Sequence, residues 1–326
     1  MAWTVEHRFE IIYALRSNVL SRSSIPARDP LSDVLQVLGA HVVRRTRIEA
    51  GGSWAFAFPP AGRLKFVAVL EGEQWILTPG EQCCLMKKGD VCLIGRTSYI
   101  IASDPQLEPQ DGLSLYPVGG SDIARVNSGD GFVGIGGSIA FSEENGDFLL
   151  DMLPGFLLVG RSASASGAIA AVLDLISNEI LRDAMGTDIV AARLADVLVV
   201  EALRALSDDG ERNGRGWLGA ISDPRLGRTL RAMHRDVAEP WTVATLAEVA
   251  GMSRAAFSAR FTQQVGRPPL TYLRYWRLTL ARTLLLRETN SVDVVARSVG
   301  YTSQSAFGNA YRQAFGTSPR SRIRAA

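Results

Sequence analysis

The sequence of 326 residues contains few cysteines and no long apolar run. Three cysteines are too few for a disulfide framework and are typical of a reducing compartment. Without about 18 consecutive apolar residues, the chain is not expected to span a membrane. Glu6, Arg8 and Glu10 stand where a secretory signal peptide would have its apolar segment. These absences predict a cytoplasmic protein with no membrane partner.

Lysine is absent from the last third of the chain, whereas arginine is abundant there. Residues 223–326 contain 16 arginines and 6 acidic residues, a net charge of +10, and residues 1–222 carry a net charge of −8. A basic segment on an acidic body is typical of a nucleic-acid-binding module attached to another domain. Surface arginines that are merely solvated are the alternative, although arginine is the better ligand for phosphates and base edges.

Several motifs that carry catalytic chemistry are also absent. The sequence has no nucleophile elbow and no CxxC pair. The glycine-rich stretch 134–137 is not followed by a predicted helix start, so a bulged strand is favoured over a phosphate-binding loop. We therefore predict no catalytic residues and a protein that is not an enzyme.

Hydrophobic periodicity predicts strands and helices in the first two thirds of the chain. An amphipathic helix is expected over residues 4–20. From 41 to 141, short strands alternate with turn signals every 8–12 residues, which is typical of an antiparallel barrel or jelly roll. Helices over 164–185 and 188–206 follow, and they could pack on the barrel or on a second copy of the chain.

These patterns divide the chain into an N-terminal helical extension and two domains. Residues 1–28 form the extension, and residues 29–206, which include a short helix at 31–38, form a domain for sensing and dimerisation. The polar, glycine-rich stretch 207–216 has the composition of a linker. Residues 217–326 form an all-helical domain. The predicted fold class is therefore α+β, with two domains.

Two short helices around a tight corner are predicted at residues 246–261. Gly251 supplies the corner, where a positive φ is needed, and Ser253 is a good N-cap for the second helix. Phe257 and Phe261 give that helix an apolar stripe. This is the pattern of a helix-turn-helix unit, whose second helix can lie in the major groove of DNA. Ordinary helical hairpins share these features, so the stretch alone does not decide between the two.

The same pattern returns about 50 residues later. Gly300 corresponds to Gly251 at an offset of 49, while Ser303 and Phe307 follow at an offset of 50, so the second turn is one residue longer. Preserved apolar, turn and cap positions are hard to obtain by chance. We therefore predict two helix-turn-helix units.

The spacing of the two units suits a DNA duplex. The first unit is predicted at about 242–265, the second at about 291–315, and a connecting helix at about 269–287. At 1.5 Å per residue a helix of about 18 residues is about 27 Å long. With its flanks it can hold two recognition helices near one turn of DNA, about 34 Å, apart.

A specific set of motifs lies between residues 216 and 277. The set comprises Gly216-Trp217-Leu218, Asp223-Pro224-Arg225, Met233-His234, Trp241-Thr242-Val243, Leu246-Ala247, Gly251-Met252-Ser253-Arg254, Phe257, Arg260-Phe261, Gly266, Pro268-Pro269, Tyr272-Leu273 and Trp276-Arg277. It resembles the DNA-binding domain of the AraC/XylS family of bacterial transcriptional regulators, in the branch whose N-terminal domain is a cupin barrel. The resemblance implies a regulator that binds double-stranded promoter DNA and a small-molecule effector and forms a homodimer, with RNA polymerase as a candidate partner.

In that family, exposed positions of both recognition helices would read the DNA. The resemblance places Arg254, Ser258, Gln304, Ser305 and Asn309 at such positions. Arg260, a further arginine of the first recognition helix, is added as a phosphate contact. The predicted DNA-binding residues are therefore Arg254, Ser258, Arg260, Gln304, Ser305 and Asn309. Gln304 and Asn309 can hydrogen-bond adenine edges, and Arg254 can bind guanine or a phosphate. We expect the first unit mainly to contact phosphates, through Arg254 and Arg260, and the second unit to carry more of the base reading.

The resemblance extends more weakly over residues 29–206, where 65–105 match the strand and turn rhythm of a cupin. Metal-binding cupins use two or three histidines with a carboxylate. This barrel contains only His41, and Tyr99 stands where the second cupin motif would carry its histidine. A metal site built from a histidine cluster is therefore not expected, and we predict no cofactor.

An apolar effector cavity is expected inside the barrel. Four aromatic residues are candidates for its wall: Trp54, Phe56, Trp75 and Tyr99. Simple filling of the core is the alternative for each, because the interiors of small barrels are normally packed with side chains.

Two functions are alternatives to an effector-binding regulator: an oxidant-sensing regulator and a cupin-type enzyme. Cys83 and Cys84 are neighbours on one predicted strand, and Cys92 lies across a turn on the next. They are either small buried hydrophobic residues or the thiols of an oxidant-sensing regulator. The second alternative is a cupin-type enzyme with a basic tail that tethers it to DNA, and the missing histidines argue against it.

Overall fold

The computed structural model describes residues 29–141, 146–159, 166–182, 184–208, 216–285 and 291–323. The chain forms two compact units. The β-sheet unit comprises Leu38–Asp223 and Gln264–Gly266, and the helical unit comprises Met1–Val37, Pro224–Gln263 and Arg267–Ala326. The helix predicted at 4–20 and the whole predicted extension, 1–28, lie outside the described residues.

In the described part of the β-sheet unit, eleven strands form two sheets. The strands are β1 His41–Ala50, β2 Ala55–Phe58, β3 Leu64–Glu71, β4 Glu73–Leu77, β5 Cys84–Lys87, β6 Val91–Ile94, β7 Tyr99–Ala102, β8 Gln110–Asp111, β9 Ile123–Val126, β10 Phe132–Ala140 and β11 Phe156–Val159. The first sheet has the order β11-β6-β3-β10-β1-β9 and the second β5-β4-β7-β2-β8. Most neighbours are antiparallel, but β1 with β9 and β2 with β8 are parallel.

The main core of this unit lies between the two sheets. Inward-facing residues of both sheets pack there, among them Ile48, Phe56, Val67 and Ile76. Two-residue alternation explains the pattern, because successive side chains of a strand point to opposite faces. The stretch 134–137 is part of β10, whose register with β3 shifts between Val133 and Gly134.

The predicted closed antiparallel barrel is only partly observed. Among the described strands, no hydrogen-bonded ladder joins the first sheet to the second. The chain instead crosses between the sheets, for example at Gly72 between β3 and β4. Gly72 has a φ of +73°, and a Cβ there would lie 2.2 Å from the carbonyl oxygen of Gly131, so a side chain is excluded. Turn signals in a sequence do not distinguish such a corner from a hairpin.

Helices accompany the sheets in the β-sheet unit: α2 Asp147–Leu150, α3 Ser166–Arg182, α4 Thr187–Asp208 and α5 Gly216–Ser222. Helix α4 is tied to β1, since Asp196 Oδ1 accepts a hydrogen bond from the Val42 backbone N–H at 2.7 Å. An ion pair of 2.9 Å joins Arg45 to Asp188. Helix α5 belongs to this unit, with Trp217 fully buried, although the sequence grouped it with the helices that follow.

The described helices of the helical unit surround a second core. They are α1 Pro30–Leu38, α6 Leu226–Arg235, α7 Val243–Ala250, α8 Arg254–Val265, α9 Pro269–Leu285, α10 Val292–Ser298, α11 Gln304–Phe315 and α12 Pro319–Ile323; α1 belongs to this unit up to Val37 and α8 up to Gln263. Trp276, Tyr272 and Tyr311 are among the largest fully buried side chains. None of the helices described in either unit has the length and apolar character needed to cross a lipid bilayer.

Helix α1 lies in the helical unit and not in the unit to which its sequence neighbours belong. The hydroxyl of Thr283 on α9 donates to the carbonyl oxygen of Val37 at 3.1 Å. Asp33 Oδ2 lies 3.6 Å from Nδ1 of His234 on α6. The sequence pattern groups this helix with residues 29–206, because nothing in the helix itself indicates a partner about 200 residues away.

Candidate functional site

Helices α7 and α8, the first helix pair, meet at a hydrogen-bonded turn. The backbone N–H of Gly251 donates to the carbonyl oxygen of Glu248 at 3.0 Å, and that of Met252 donates to Ala247 at 2.9 Å. Gly251 has a φ of +65°, the left-handed conformation that ends many helices. A capping box formed by Thr242 and Thr245 fixes the start of α7.

Helices α10 and α11, the second helix pair, meet at a longer turn with the same two hydrogen bonds. The backbone N–H of Gly300 donates to Arg297 at 3.1 Å, and that of Tyr301 donates to Ala296 at 2.9 Å. Gly300 has a φ of +85°. These bonds join the residues that the offset of 49 aligns with the first pair, so the sequence repeat is also a repeat of local structure.

The second helix of each pair is capped and buried in the same way. The hydroxyl oxygens of Ser253 and Ser303 accept backbone N–H bonds at 3.3 Å from the residue three positions on. Phe257 and Phe307 are fully buried. Their rings lie 5.6 Å from Phe261 and 5.7 Å from Tyr311, centroid to centroid. Burial of these aromatic rows determines which faces of α8 and α11 point outward.

The outward face of α11 carries the predicted residues of the second unit. Gln304, Ser305 and Asn309 are all exposed. At about 100° per residue they fall within about 140° of the helix circumference, so they share one face. Gln304 and Asn309 offer a donor and an acceptor each, as base-edge recognition requires.

The predicted residues of α8 do not all share a face. Arg254 is exposed and Ser258 half-buried, and they lie on one side of the helix. Arg260 is also exposed but lies at least about 120° around the helix from both of them. Its matching position in the second pair is Ala310, which is buried. The first pair therefore presents two separated cations rather than a single row of base-reading side chains.

Several arginines of the helical unit are structural. Arg277 donates to the carbonyl oxygens of Val237 and Glu239 at 2.8 and 2.6 Å. The guanidinium of Arg282 lies 4.4 Å from the centroid of the Phe315 ring, and Arg297 pairs with Asp293 on its own helix. The net charge of +10 thus overstates the charge available to a nucleic acid.

The β-sheet unit contains a second candidate site, a cavity of about 330 Å³ between its sheets, here called the inter-sheet cavity. Tyr99, one of the four predicted wall residues, lines it. Trp54 and Phe56 are buried in the neighbouring core, where the Trp54 ring lies 5.0 Å from that of Phe132. Trp75 is half-buried and projects from β4 on the face opposite to Gln74 and Ile76. Of the four predicted wall residues, Tyr99 alone therefore lines the cavity.

Four polar residues of this cavity were not among the predicted wall residues: Lys65, Gln74, Arg44 and Tyr116. Lys65 and Val67 share the inward face of β3, and Gln74 and Ile76 share the inward face of β4. A polar residue at an inward position of an otherwise apolar strand was the available signal. Burial lowers the pKa of Lys65 and raises the pKa of Tyr116 to about 12.

The three cysteines are free, and they differ in exposure. Cys83 is exposed, Cys84 is half-buried and Cys92 is buried. Cys92 lies across a turn on the strand that follows Cys84, as predicted, but β5 and β6 belong to different sheets, so the two cysteines are not on paired strands. Burial raises the pKa of both thiols, which disfavours their reactive thiolate form. Across the described residues, no group of three or more His, Cys, Asp or Glu is arranged to hold a metal.

Comparison with protein families matches both parts of the chain. Residues 29–208 match the model of a cupin family, and residues 246–325 match that of a helix-turn-helix domain. The cupin match alone spans more than half of the chain.

Two curated relatives match this chain along almost their whole length. AraC-like transcription regulators of Streptomyces antibioticus and Streptomyces lividans are each 34% identical over 293 residues, covering 89% of this chain and 97% and 96% of theirs. Among solved structures, the DNA-binding domain of the global transcriptional factor AdpA in complex with a target DNA is 34% identical, covers 31% of this chain and 91% of that chain, and has a TM-score of 0.30. The chain therefore belongs to the AraC family of DNA-binding transcriptional regulators, with a cupin domain preceding its helix-turn-helix domain.

Proposed function

We propose that the protein regulates transcription by binding promoter DNA sequence-specifically through two helix-turn-helix units, the first and second helix pairs. The observation that carries this proposal is the repeated turn, which presents α8 and α11 with equivalent buried and outward faces. In this proposal α8 and α11 are the recognition helices. Double-stranded promoter DNA is the partner, and the site of action is the cytoplasm, where a bacterial promoter lies.

The six predicted residues divide into two roles. Gln304, Ser305 and Asn309 would contact base edges in the major groove, because amide and hydroxyl groups supply the directional donors and acceptors that base edges match. Arg254 and Arg260 would contact phosphates, which position the protein without reading sequence. Ser258, half-buried beside Arg254, would add a short-range contact.

The length of the connecting helix predicts the spacing of the two DNA segments in the operator. Helix α9 has 17 residues and is therefore about 26 Å long. Two recognition helices joined through it would engage successive major-groove segments on one face of the duplex, about 10 base pairs apart.

The test is hydroxyl-radical footprinting of the full-length protein on binding sites selected from random DNA. We expect two contacted major-groove segments about one helical turn apart. The segment whose protection changes in Asn309→Ala is the one contacted by α11, and it should show the stronger base preference. A single contacted segment, or two that respond equally to Asn309→Ala and Arg260→Ala, would contradict the proposal.

We further infer that the β-sheet unit binds a small effector and mediates a homodimer. Supporting features are the inter-sheet cavity and the exposed apolar side chains of α4, Ile189 at 71%, Val197 at 45% and Val190 at 44% exposure. Exposed apolar clusters are typical of interaction surfaces. Sedimentation of Ile189→Glu at micromolar concentration should give a monomer where the wild type gives a dimer, and an unchanged mass would exclude this face. RNA polymerase is the further partner expected of such a regulator.

An oxidant-sensing regulator is the second candidate function, and the cysteines do not favour it. Cys92 is inaccessible, and burial raises the pKa of Cys84. A cupin-type enzyme has no supporting observation. Replacing Cys83, Cys84 and Cys92 together by serine is expected to leave promoter control unchanged.

A further inference from the structure

We propose that the inter-sheet cavity binds a small amphipathic carboxylate, with the Lys65 ammonium group facing the acid and the Gln74 amide making a second polar contact. This inference rests on the proposed effector-responsive regulator and names the chemical class of its effector. It draws on the charge, the burial and the contacts of the cavity wall.

Lys65 is a half-buried cation in the cavity wall, and no described carboxylate forms an ion pair with it. It lies on the inward face of β3, and its Nζ is 5.1 Å from the centroid of the Tyr99 ring and 5.6 Å from that of Phe58. Those two rings stack 4.9 Å apart. Within the described part of the chain, no carboxylate oxygen lies within the 4.0 Å of an ion pair. Aromatic faces attract a cation but do not neutralise its charge.

The other cation in the cavity wall is already paired. Arg44 Nε donates to Asp122 Oδ1 at 3.0 Å, and its Nη2 donates to the carbonyl oxygen of Tyr116 at 3.2 Å. Lys65 is therefore the cation of this wall that gains most from an incoming anion.

Gln74 is the second group whose hydrogen-bonding capacity is not satisfied. Its side chain lines the cavity, and the residue is 1% exposed. Its Nε2 has only a long contact of 3.9 Å to Met86 Sδ, and its Oε1 has no hydrogen-bond partner among the described residues. A buried amide in this state is destabilising, because the water it gave up is not replaced. Rotation of the amide lets it donate to a carboxylate or accept from a neighbouring hydroxyl.

The rest of the wall suits an apolar body. Ile48, Val67, Ile101 and Ile135 line the cavity beside the Phe58 and Tyr99 rings. The volume of about 330 Å³ is near the lower end of small-molecule sites, which span about 300–1,000 Å³. Burial lowers the pKa of Lys65, since the charged amine is desolvated without compensation. A bound anion supplies that compensation, and neither a neutral nor a cationic ligand does.

Isothermal titration of the full-length protein tests the site without DNA. The probes are octanoate and 4-phenylbutyrate, each compared with its uncharged amide, octanamide and 4-phenylbutanamide. At least one acid is expected to bind about tenfold or more tightly than its amide, the size of one charge-assisted hydrogen bond. Lys65→Met should abolish this preference, and Lys65→Arg should keep it. Lys87→Met, which removes an exposed lysine outside the cavity wall, is the matched control and should change nothing.

Three results would overturn the proposal: neither acid binds, both acids bind no better than their amides, or Lys65→Met retains the preference while its thermal unfolding matches that of the wild type. Promoter-DNA affinity, measured with and without the bound acid, is a separate readout. Acid binding that leaves this affinity unchanged would support the site and contradict the proposed effector response.

Discussion

The first and second helix pairs share a turn and a buried aromatic row, but they differ in what surrounds the turn and in what faces outward. Gly251 has open space at its corner, where the nearest atom to an added Cβ would be Arg228 Nη2 at 3.8 Å. At Gly300 the added Cβ would lie 2.8 Å from the carbonyl oxygen of Ala238 and 2.9 Å from the Arg277 guanidinium. The second turn therefore packs closely against Arg277 of α9 and the segment that links α6 to α7.

The outward faces of α8 and α11 also differ, in the side chains that they expose. Arg254 and Gln304 occupy matching positions, as do Ala259 and Asn309. The more tightly held pair carries the directional amide groups, and the looser pair carries the long cation. Base reading requires fixed geometry, whereas a phosphate contact tolerates movement. We interpret the first pair as the anchor and the second pair as the reader.

The largest expected effect comes from the two corner glycines. Gly300→Ala should lower the free energy of unfolding of the helical unit by about 3 kcal/mol, because a left-handed backbone and a close contact are both penalised. Gly251→Ala should cost about 1 kcal/mol, from the backbone alone. Hydrogen exchange of peptides from α7–α11, followed by mass spectrometry, measures both in the full-length protein. Equal costs would show that the two turns are equally packed and would break the comparison.

The second prediction concerns readout. Gln304→Ala should relax base preference at one operator position, by about 1–3 kcal/mol, and leave affinity for random DNA nearly unchanged. Arg260→Ala should weaken binding to all sequences alike and reduce the salt dependence by about one phosphate contact. Fluorescence anisotropy on specific and random duplexes over a salt series distinguishes the two. If both variants lose specific and random binding equally, the division into reader and anchor is wrong.

The smallest expected effect tests the scaffold that both pairs share. His234 is buried, its Nε2 lies 2.8 Å from the Tyr272 hydroxyl, and its ring stacks 4.4 Å from Trp276. Burial lowers the pKa of His234 below the ordinary 6.5, although Asp33 and Asp29 act in the opposite direction. The unfolded chain therefore takes up this proton first as the pH falls. Stability is fully present above about pH 6.5 and should decrease below it, by at most about 1.4 kcal/mol per pH unit.

Urea unfolding between pH 7.5 and 5.5 measures that slope. His234→Gln should be less stable at pH 7.5 and should lose the histidine-dependent part of the slope. His41→Gln, at an exposed histidine in the β-sheet unit, is the control and should keep the slope. A wild type that becomes more stable on acidification would mean that Asp33 outweighs burial.

Local patterns in the sequence predicted the parts of the structure that depend on local chemistry. The caps at Ser253 and Ser303, the corner at Gly251 and the aromatic rows each follow from neighbouring residues. The sheet assignment of β5 and β6, the partner of α1 and the packing of Gly300 depend on residues far away in sequence. No periodicity contains that information.

The candidate sites divide in the same way. An outward helical face is a property of one helix, so Gln304, Ser305 and Asn309 could be located on a common face from spacing alone. A cavity is bounded by many strands, and aromatic content gave a poor guide to its wall. Lys65 and Gln74 were detectable only as exceptions to strand alternation.

The position of α1 has a consequence for synthesis of the chain. Helix α1, up to Val37, belongs to a unit whose next segment begins at Pro224. Ribosomes add about 5–20 residues per second, so α1 waits roughly 10–40 s before its partners emerge. Throughout that interval Val34, fully buried in the finished protein, has no native surface to cover it. The strands of the β-sheet unit can pair as they emerge, whereas the unit that holds both helix pairs can be completed only after α11 has been synthesised.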